Sequence, residues 1–470
     1  MTADAAQAGT AVAAGPPLAS ARRLILPLAL AQFICSFAGS NMNVMINDIS
    51  EDLDTTVKGV QTTITLFLLI MAVLMIPCSK LTDRWGRKRC FNLGLLLYGI
   101  GALLSALAPG LGILILGNSV FEGVGTALLI PPVYILATVW FTDVTKRAWA
   151  FGAISGLGGI GAAAGPLIGG VITTAISWRA AFIFQALVIV TILLLGRRLV
   201  DPLPPDPTRP FDAVGAILSA VGMFCLVFGI LQAGENNALL AVLLAAGAAF
   251  LLAFFFYIRS LERKGKEPLL STSLFRNRTC NLALATQNVQ WLILLGTSFV
   301  VSVYLQTVRG YSAIKTGVIF TAATAGILIA SLAAERFARR RRQRTLIVVG
   351  FLITLAGIVL LLVLVPATSS IAAFVPGLLL IGFGLGGMLT PSVNVVQSSF
   401  PEELQGEISG LSRSVSNLGS SFGTAIAGTI LVSAAASGNR SYAIAMASVG
   451  VIGLLGLAAA WALPPKVERA

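Results

Sequence analysis

The sequence predicts an all-α polytopic membrane protein of about fourteen spanning helices. Three observations carry this. The chain has 470 residues, 56% of them hydrophobic and 11% charged, with a mean hydropathy of +0.90. A soluble domain carries roughly 25% charged residues, so this chain cannot cover a water-facing surface, but it can cover a lipid-facing one. Apolar runs of about 20 residues recur along its whole length, the length that a helix needs to span. Finally, basic residues collect in every second loop.

Residues 1–23 are Ala/Gly-rich and polar and end in Arg22 and Arg23. They are expected as a cytoplasmic tail, not a cleavable signal, because the first apolar run is long enough to span. Apolar runs follow at 24–47, 59–78, 90–108 and 111–135. Only Ala108-Pro109-Gly110 separates the third from the fourth. Next come 147–173 and 180–197, then a Pro-rich loop over 201–210. Runs at 212–233 and 238–258 precede a basic stretch, Arg259 to Arg278. Runs at 282–305, 315–333, 345–366, 371–396, 407–433 and 441–463 complete the series, before a short tail at 465–470.

The loops orient the protein. Of the 32 Lys and Arg, 26 fall in the N-terminal tail, alternate loops and the C-terminal tail, and 5 in the opposite loops: Lys58, Arg179, Arg309, Lys315 and Arg440. Arg413 lies inside a span. The positive-inside rule places the rich side and both termini in the cytoplasm, which requires an even number of helices. The net charge of +13 is therefore topological, and no nucleic acid is expected as a partner.

Two internal echoes are present. Asp83-Arg84-Trp85-Gly86-Arg87 returns as Glu335-Arg336-Phe337-Ala338-Arg339, 252 residues on. Gly152, Gly161, Gly165, Ile168 and Gly170 match Gly410, Gly419, Gly423, Ile426 and Gly428, each 258 apart. Parallel repeats of this kind mark transporters built of two six-helix halves. The expected organisation is a six-helix bundle over 24–198, a linker with two inserted helices over 199–278, and a second six-helix bundle over 279–464.

Four motifs then carry a resemblance. The loop Lys80-Leu81-Thr82-Asp83-Arg84-Trp85-Gly86-Arg87-Lys88-Arg89 follows the second span, with Ser79 where a leading glycine is usual. The fifth span holds Gly161-Ala162-Ala163-Ala164-Gly165-Pro166-Leu167-Ile168-Gly169-Gly170. The ninth span ends in Tyr304-Leu305-Gln306 and runs on through Gly310-Tyr311-Ser312 to Thr316-Gly317. Trp178-Arg179 with Phe182 opens the sixth. Together they resemble the fourteen-helix drug:proton antiporter family of the major facilitator superfamily. The resemblance implies a major facilitator fold, with two six-helix bundles plus two inserted helices. It implies a conformational latch of Lys80, Asp83, Arg84, Gly86, Arg87 and Arg89, in which Asp83 accepts from helix N-terminal amides or pairs with Arg in one state only. It also implies an antiporter motif of Gly161, Gly165, Pro166, Gly169 and Gly170. There small residues allow close helix approach and Pro166 bends the helix.

Glu122 is the one acidic residue well inside a span. A carboxylate near mid-membrane costs about 2.5 kcal/mol or more, and taking up a proton lowers that cost. A group that is neutral when buried and ionised when wet suits proton coupling, which is the role expected of Glu122, with Asp83. Ser119 and Thr126, at i−3 and i+4, are expected to give it a polar stripe. The alternative is a fixed ion pair with Arg413. The family's first-helix Asp is missing from Ala38-Gly39-Ser40-Asn41-Met42-Asn43-Val44, and Ser119 replaces the Arg that opens its fourth-helix motif. Three readings stay open: Glu122 has taken over coupling, coupling differs, or the chain is not proton-coupled. Asn43, Ser119, Phe121, Glu122, Gln287, Gln290, Trp291, Arg413 and Asn417 are candidates for the substrate cavity. Asn47 and Tyr134 are further polar and aromatic candidates. Interhelical hydrogen bonding is the alternative for each amide.

Other chemistry is excluded. There is no histidine, and the five cysteines form no close pair and no metal spacing. No Ser/His constellation or phosphate-binding loop occurs, so neither an enzyme nor any cofactor or metal is expected. The expected function is proton-coupled efflux of amphipathic, cationic small molecules. The alternatives are export of an endogenous metabolite or lipid, and transport without protons. The expected partners are the small-molecule substrate, protons and the lipid bilayer, with the protein a monomer in a bacterial inner membrane.

Overall fold

The computed structural model describes residues 18–141, 144–197, 199–201, 204–208, 210–338, 342–368, 370–400, 404–433 and 439–464. The tail over 465–470, most of the N-terminal tail, Arg198, Arg209, and Arg339 to Arg341 of the first echo lie outside the described residues. The helices are α1 (Leu24–Asp52), α2 (Val57–Trp85), α3 (Arg87–Ala106), α4 (Leu111–Trp140), α5 (Val144–Ala175), α6 (Trp178–Gly196) and α7 (Ala213–Leu231). They continue as α8 (Asn237–Arg263), α9 (Arg278–Val308), α10 (Ala313–Ala338), α11 (Gln343–Ala367), α12 (Ile371–Ser398), α13 (Gln405–Ser433) and α14 (Asn439–Ala462). No strand occurs among the described residues.

The helix ends follow local chemistry. Thr56, Ser177, Asp212, Asn236 and Asn277 each accept from a backbone N–H three residues on, which caps α2, α6, α7, α8 and α9. Gly86 takes φ +91° between α2 and α3, a conformation that a side chain would strain. The expected break at Ala108-Pro109-Gly110 is present.

Twelve of these helices are long and apolar enough to cross a membrane, and α5 is a thirteenth when its bent halves count as one span. The count of about fourteen differs at α13, a 29-residue helix whose serines and Arg413 lower its hydropathy. It is packed between other helices, where serine hydroxyls meet backbone oxygens: Ser414 donates to Ala72 O (2.5 Å) and Ser421 to Thr65 O (3.1 Å). The protein is a multi-pass membrane protein of all-helical fold.

Helix α5 bends by 44° between Gly156–Ala162 and Ala164–Ala175. Pro166 has no N–H for the carbonyl of Ala162, so the helix breaks one turn before it. Helices α1 and α5 pack along each other, as do α9 and α13 and, between the halves, α2 and α13 and α5 and α10. The α7–α8 hairpin docks where the halves meet. Met223, Val227 and Leu231 of α7 pack with Leu69 and Val73 of α2 and Ala425 of α13.

Helices α3 and α4 interlock through glycine. A Cβ on Gly125 would lie 2.6 Å from Tyr98 N and 2.8 Å from Gly94 O, and one on Gly101 would lie 2.7 Å from Glu122 N. These contacts are with backbone, so neither neighbour can turn aside. Gly125→Val is expected to destabilise the fold by about 1–3 kcal/mol and to lower the melting temperature on size exclusion. An unchanged melting temperature would show that the two helices are not locked there.

Candidate functional site

The basic end, which carries residues 80–89, is tied by charge. Arg87 Nη2 lies 2.9 Å from Asp83 Oδ1, and the Arg87 N–H donates to Asp201 Oδ2 (2.8 Å). The Asp206 N–H donates to Asp83 O (3.2 Å). Lys80 reaches the other half, where its Nζ lies 2.6 Å from Glu407 Oε1. Glu407 also accepts from Ser271 N (3.1 Å), ahead of α9. Arg84 is half-buried and Arg89 exposed. Sequence reasoning missed Asp201 and Glu407. Each is one acid among several in a loop or at a helix end, and nothing local marks it.

At the opposite end Gln306 clasps α1. Its Nε2 donates to Asn43 O (2.8 Å), its Oε1 accepts from Asn47 N (3.2 Å), and Asn47 Nδ2 donates to Gln306 O (2.9 Å). Gly161, Gly165 and Gly169 abut Phe33, Ser40 and Asn41 of α1, whereas Pro166 and Gly170 abut Gly317 and Ala313 of α10. The antiporter motif thus presents two faces, one within its half and one across halves.

Glu122 is fully buried. It ends a π-helical turn, Ile115–Glu122, a feature frequent at functional sites. The wider turn changes the stripe expected from α-helical spacing. Asn118, at i−4, is the neighbour: its Nδ2 lies 3.3 Å from Glu122 Oε2. Ser119 turns away and donates to Thr63 O of α2 (2.8 Å). The Tyr98 and Ser105 hydroxyls of α3 lie beside the carboxyl, and Tyr98 donates to Gln185 Oε1 of α6 (2.5 Å). Glu122 Oε1 has no hydrogen-bond partner. No cation pairs with it among the described residues.

The alternative ion pair with Arg413 is not formed. Arg413 Nη2 instead donates to Tyr134 Oη of α4 (2.6 Å), and the guanidinium carbon lies 4.9 Å from the centre of that ring. Tyr134 donates to Gln32 Oε1 of α1 (3.2 Å). The structure therefore separates the candidate residues. Glu122 and Ser119 sit inside the first half, and Arg413 spans the gap between halves.

Two of the amides bond to neighbouring helices, while buried Asn43 Oδ1 and Gln290 Oε1 have no hydrogen-bond partner. Gln287 Oε1 accepts from Ser412 Oγ (2.8 Å), and Gln290 Nε2 donates to Ser392 Oγ (2.6 Å). Asn43, Gln287 and Gln290 are buried, while Phe121, Trp291, Arg413 and Asn417 are half-buried. No cluster that could hold a metal ion occurs among the described residues.

Residues 28–424 match the Major Facilitator Superfamily. The chain is 30% identical over 416 residues to the puromycin resistance protein pur8 of Streptomyces alboniger, covering 87% of this chain and 81% of that one. It is 28% identical over 393 residues to the multidrug resistance protein Stp of Mycobacterium tuberculosis, covering 83% and 72%. In fold it is similar to a crystal structure of the peptide transporter POT in complex with sulfate, with a TM-score of 0.71, 16% identity and coverage of 95% and 96%.

Proposed function

We propose that this chain, which belongs to the Major Facilitator Superfamily, exports amphipathic small molecules in exchange for protons, with Glu122 as the proton carrier. One observation carries this: a fully buried carboxyl with one free oxygen, an amide neighbour and no cation among the described residues. An ionised carboxylate in such a place is too costly to persist, so in this conformation Glu122 holds its proton. Its release requires water to reach it, which needs α3 and α4 to shift. The names of the relatives, a puromycin resistance protein and a multidrug resistance protein, support efflux.

The basic end faces the cytoplasm, and the membrane is the bacterial inner membrane. The halves meet at the outer end through the Gln306 clasp and the Gly170 contact. Toward the basic end a Cβ on Gly156 or Gly159 of α5 would meet nothing within 4 Å. Here Asp83 pairs within its own loop, and the latch to the other half runs through Lys80 and Glu407.

Substrate-driven proton movement tests the proposal. In everted vesicles carrying an imposed pH gradient, adding a transported dye such as rhodamine 6G or fluorescein is expected to dissipate part of the gradient. An acridine reporter reads this. Dye movement that continues unchanged after a proton ionophore collapses the gradient contradicts proton exchange.

A further inference from the structure

We infer that the substrate subsite between the two halves is built for an anion, with Arg413 as its recognition group, so that this exporter takes planar aromatic acids. The inference rests on the efflux reading and names the substrate class for it. A carboxylate facing the substrate path would favour a cation. Glu122 does not supply one, since it lies fully buried within the first half.

Arg413 is eight residues into α13, about 12 Å from the end of that helix, and it points across the inter-half gap to Tyr134. Among the described residues no carboxylate forms an ion pair with it. Its hydrogen bond among the described residues goes to the Tyr134 hydroxyl. A guanidinium presents five donors in a planar fork suited to a carboxylate or phenolate, and it is half-buried, not sealed. An intramembrane charge without a counter-ion is costly and marks a ligand path. An arriving anion supplies the missing partner. An arriving cation meets a like charge in low dielectric.

The surroundings are aromatic and amide. Tyr134 stands under the guanidinium, and Asn417 lies one turn along α13. Trp291 is one turn along α9 from Asn288, whose Nδ2 donates to Val415 O (2.9 Å). A flat ring system with an acidic group fits these neighbours. The ring stacks on Tyr134 or Trp291 and the acid meets Arg413.

Fluorescein and rhodamine 6G share one xanthene ring system with opposite charge, so they isolate the charge term. Binding of each to the purified protein in nanodiscs is measured by fluorescence anisotropy. Wild type is expected to prefer fluorescein. Arg413→Gln is expected to weaken fluorescein binding by about tenfold or more and to leave rhodamine 6G unchanged or tighter, with Arg413→Lys recovering part of the fluorescein affinity. Unchanged fluorescein binding in Arg413→Gln, a wild-type preference for rhodamine 6G, or binding of neither dye overturns the assignment. The efflux reading fails separately if fluorescein binds but wild-type vesicles move neither dye. An equal loss of both dyes in Arg413→Gln identifies a brace between the halves and likewise overturns the anion subsite.

Discussion

Glu122→Gln is expected to abolish proton-driven efflux, bringing dye movement in everted vesicles down to that of vesicles without the protein. Gln is the shape of a protonated Glu and keeps an acceptor for the Asn118 amide, which now lies 3.3 Å from Glu122 Oε2. It replaces a site that already lacks a cation, so it leaves no orphaned charge behind. The melting temperature is therefore expected to change little. What the variant loses is a proton that can be released. Exchange of dye down its own gradient, which needs no net proton step, is expected to persist. Transport by the wild type is expected to vary with the pH on either side of the membrane, and that of Glu122→Gln to be flat. Full pH-gradient-driven efflux by the variant removes Glu122 from the coupling step. Loss of both driven efflux and passive exchange identifies it as a packing group instead.

Gly170→Leu is expected to stop turnover while leaving the protein in the membrane. A Cβ there would stand 2.5 Å from Ala313 O and 2.9 Å from Ala313 C, across the contact between halves. Backbone cannot swing aside, so a longer side chain wedges α5 from α10 and prevents closure at the outer end. The variant retains the packing of Gly161, Gly165 and Gly169 on α1, so the first half still assembles. Transport is expected to fall at least about tenfold, a shift of the closing equilibrium by about 1.4 kcal/mol or more. Thr174 and Ile314 give the readout, because Ile314 N donates to Thr174 Oγ1 across the same contact (3.2 Å). With the five native cysteines replaced, Thr174→Cys and Ile314→Cys are expected to form a disulfide readily in the parent and poorly with Gly170→Leu. Equal cross-linking in the two backgrounds would mean that Gly170 does not set the closure.

Much of the fold was legible because membrane helices are long and their signals local. Apolar length, proline, glycine and caps each act within a few residues, and Pro166, Gly86 and the break at Ala108–Gly110 all mark the places where the chain bends or stops. Helix α13 was legible by its length and its echo of α5, although its serines lower its hydropathy. They form hydrogen bonds to neighbouring helices, as Ser414 and Ser421 do with α2. The candidate site was legible as a list of residues and not as an arrangement. Glu122 announced itself by depth, but its direction depended on the π-helical turn before it, which replaces the i−3 neighbour Ser119 with Asn118. No local pattern encodes that turn. The turn lies where Gly117 and Gly101 bring α3 and α4 into close contact. Arg413 and Tyr134 are 279 positions apart, and only the packing of two halves brings them together. Glu407 and Gln306 are likewise partners chosen by tertiary contact, with Lys80 and with Asn43 and Asn47.

The central claim is that Glu122 carries a proton when sealed between α3 and α4 and gives it up during transport. Infrared difference spectroscopy of the protein in lipid reads this directly, through the carboxylic-acid carbonyl band and its shift in heavy water. Such a band is expected in the wild type at neutral pH, slow to exchange, absent from Glu122→Gln and diminished when fluorescein is added. A carboxylic-acid band that is missing from the wild type, or that survives unchanged in Glu122→Gln, contradicts proton carriage by Glu122.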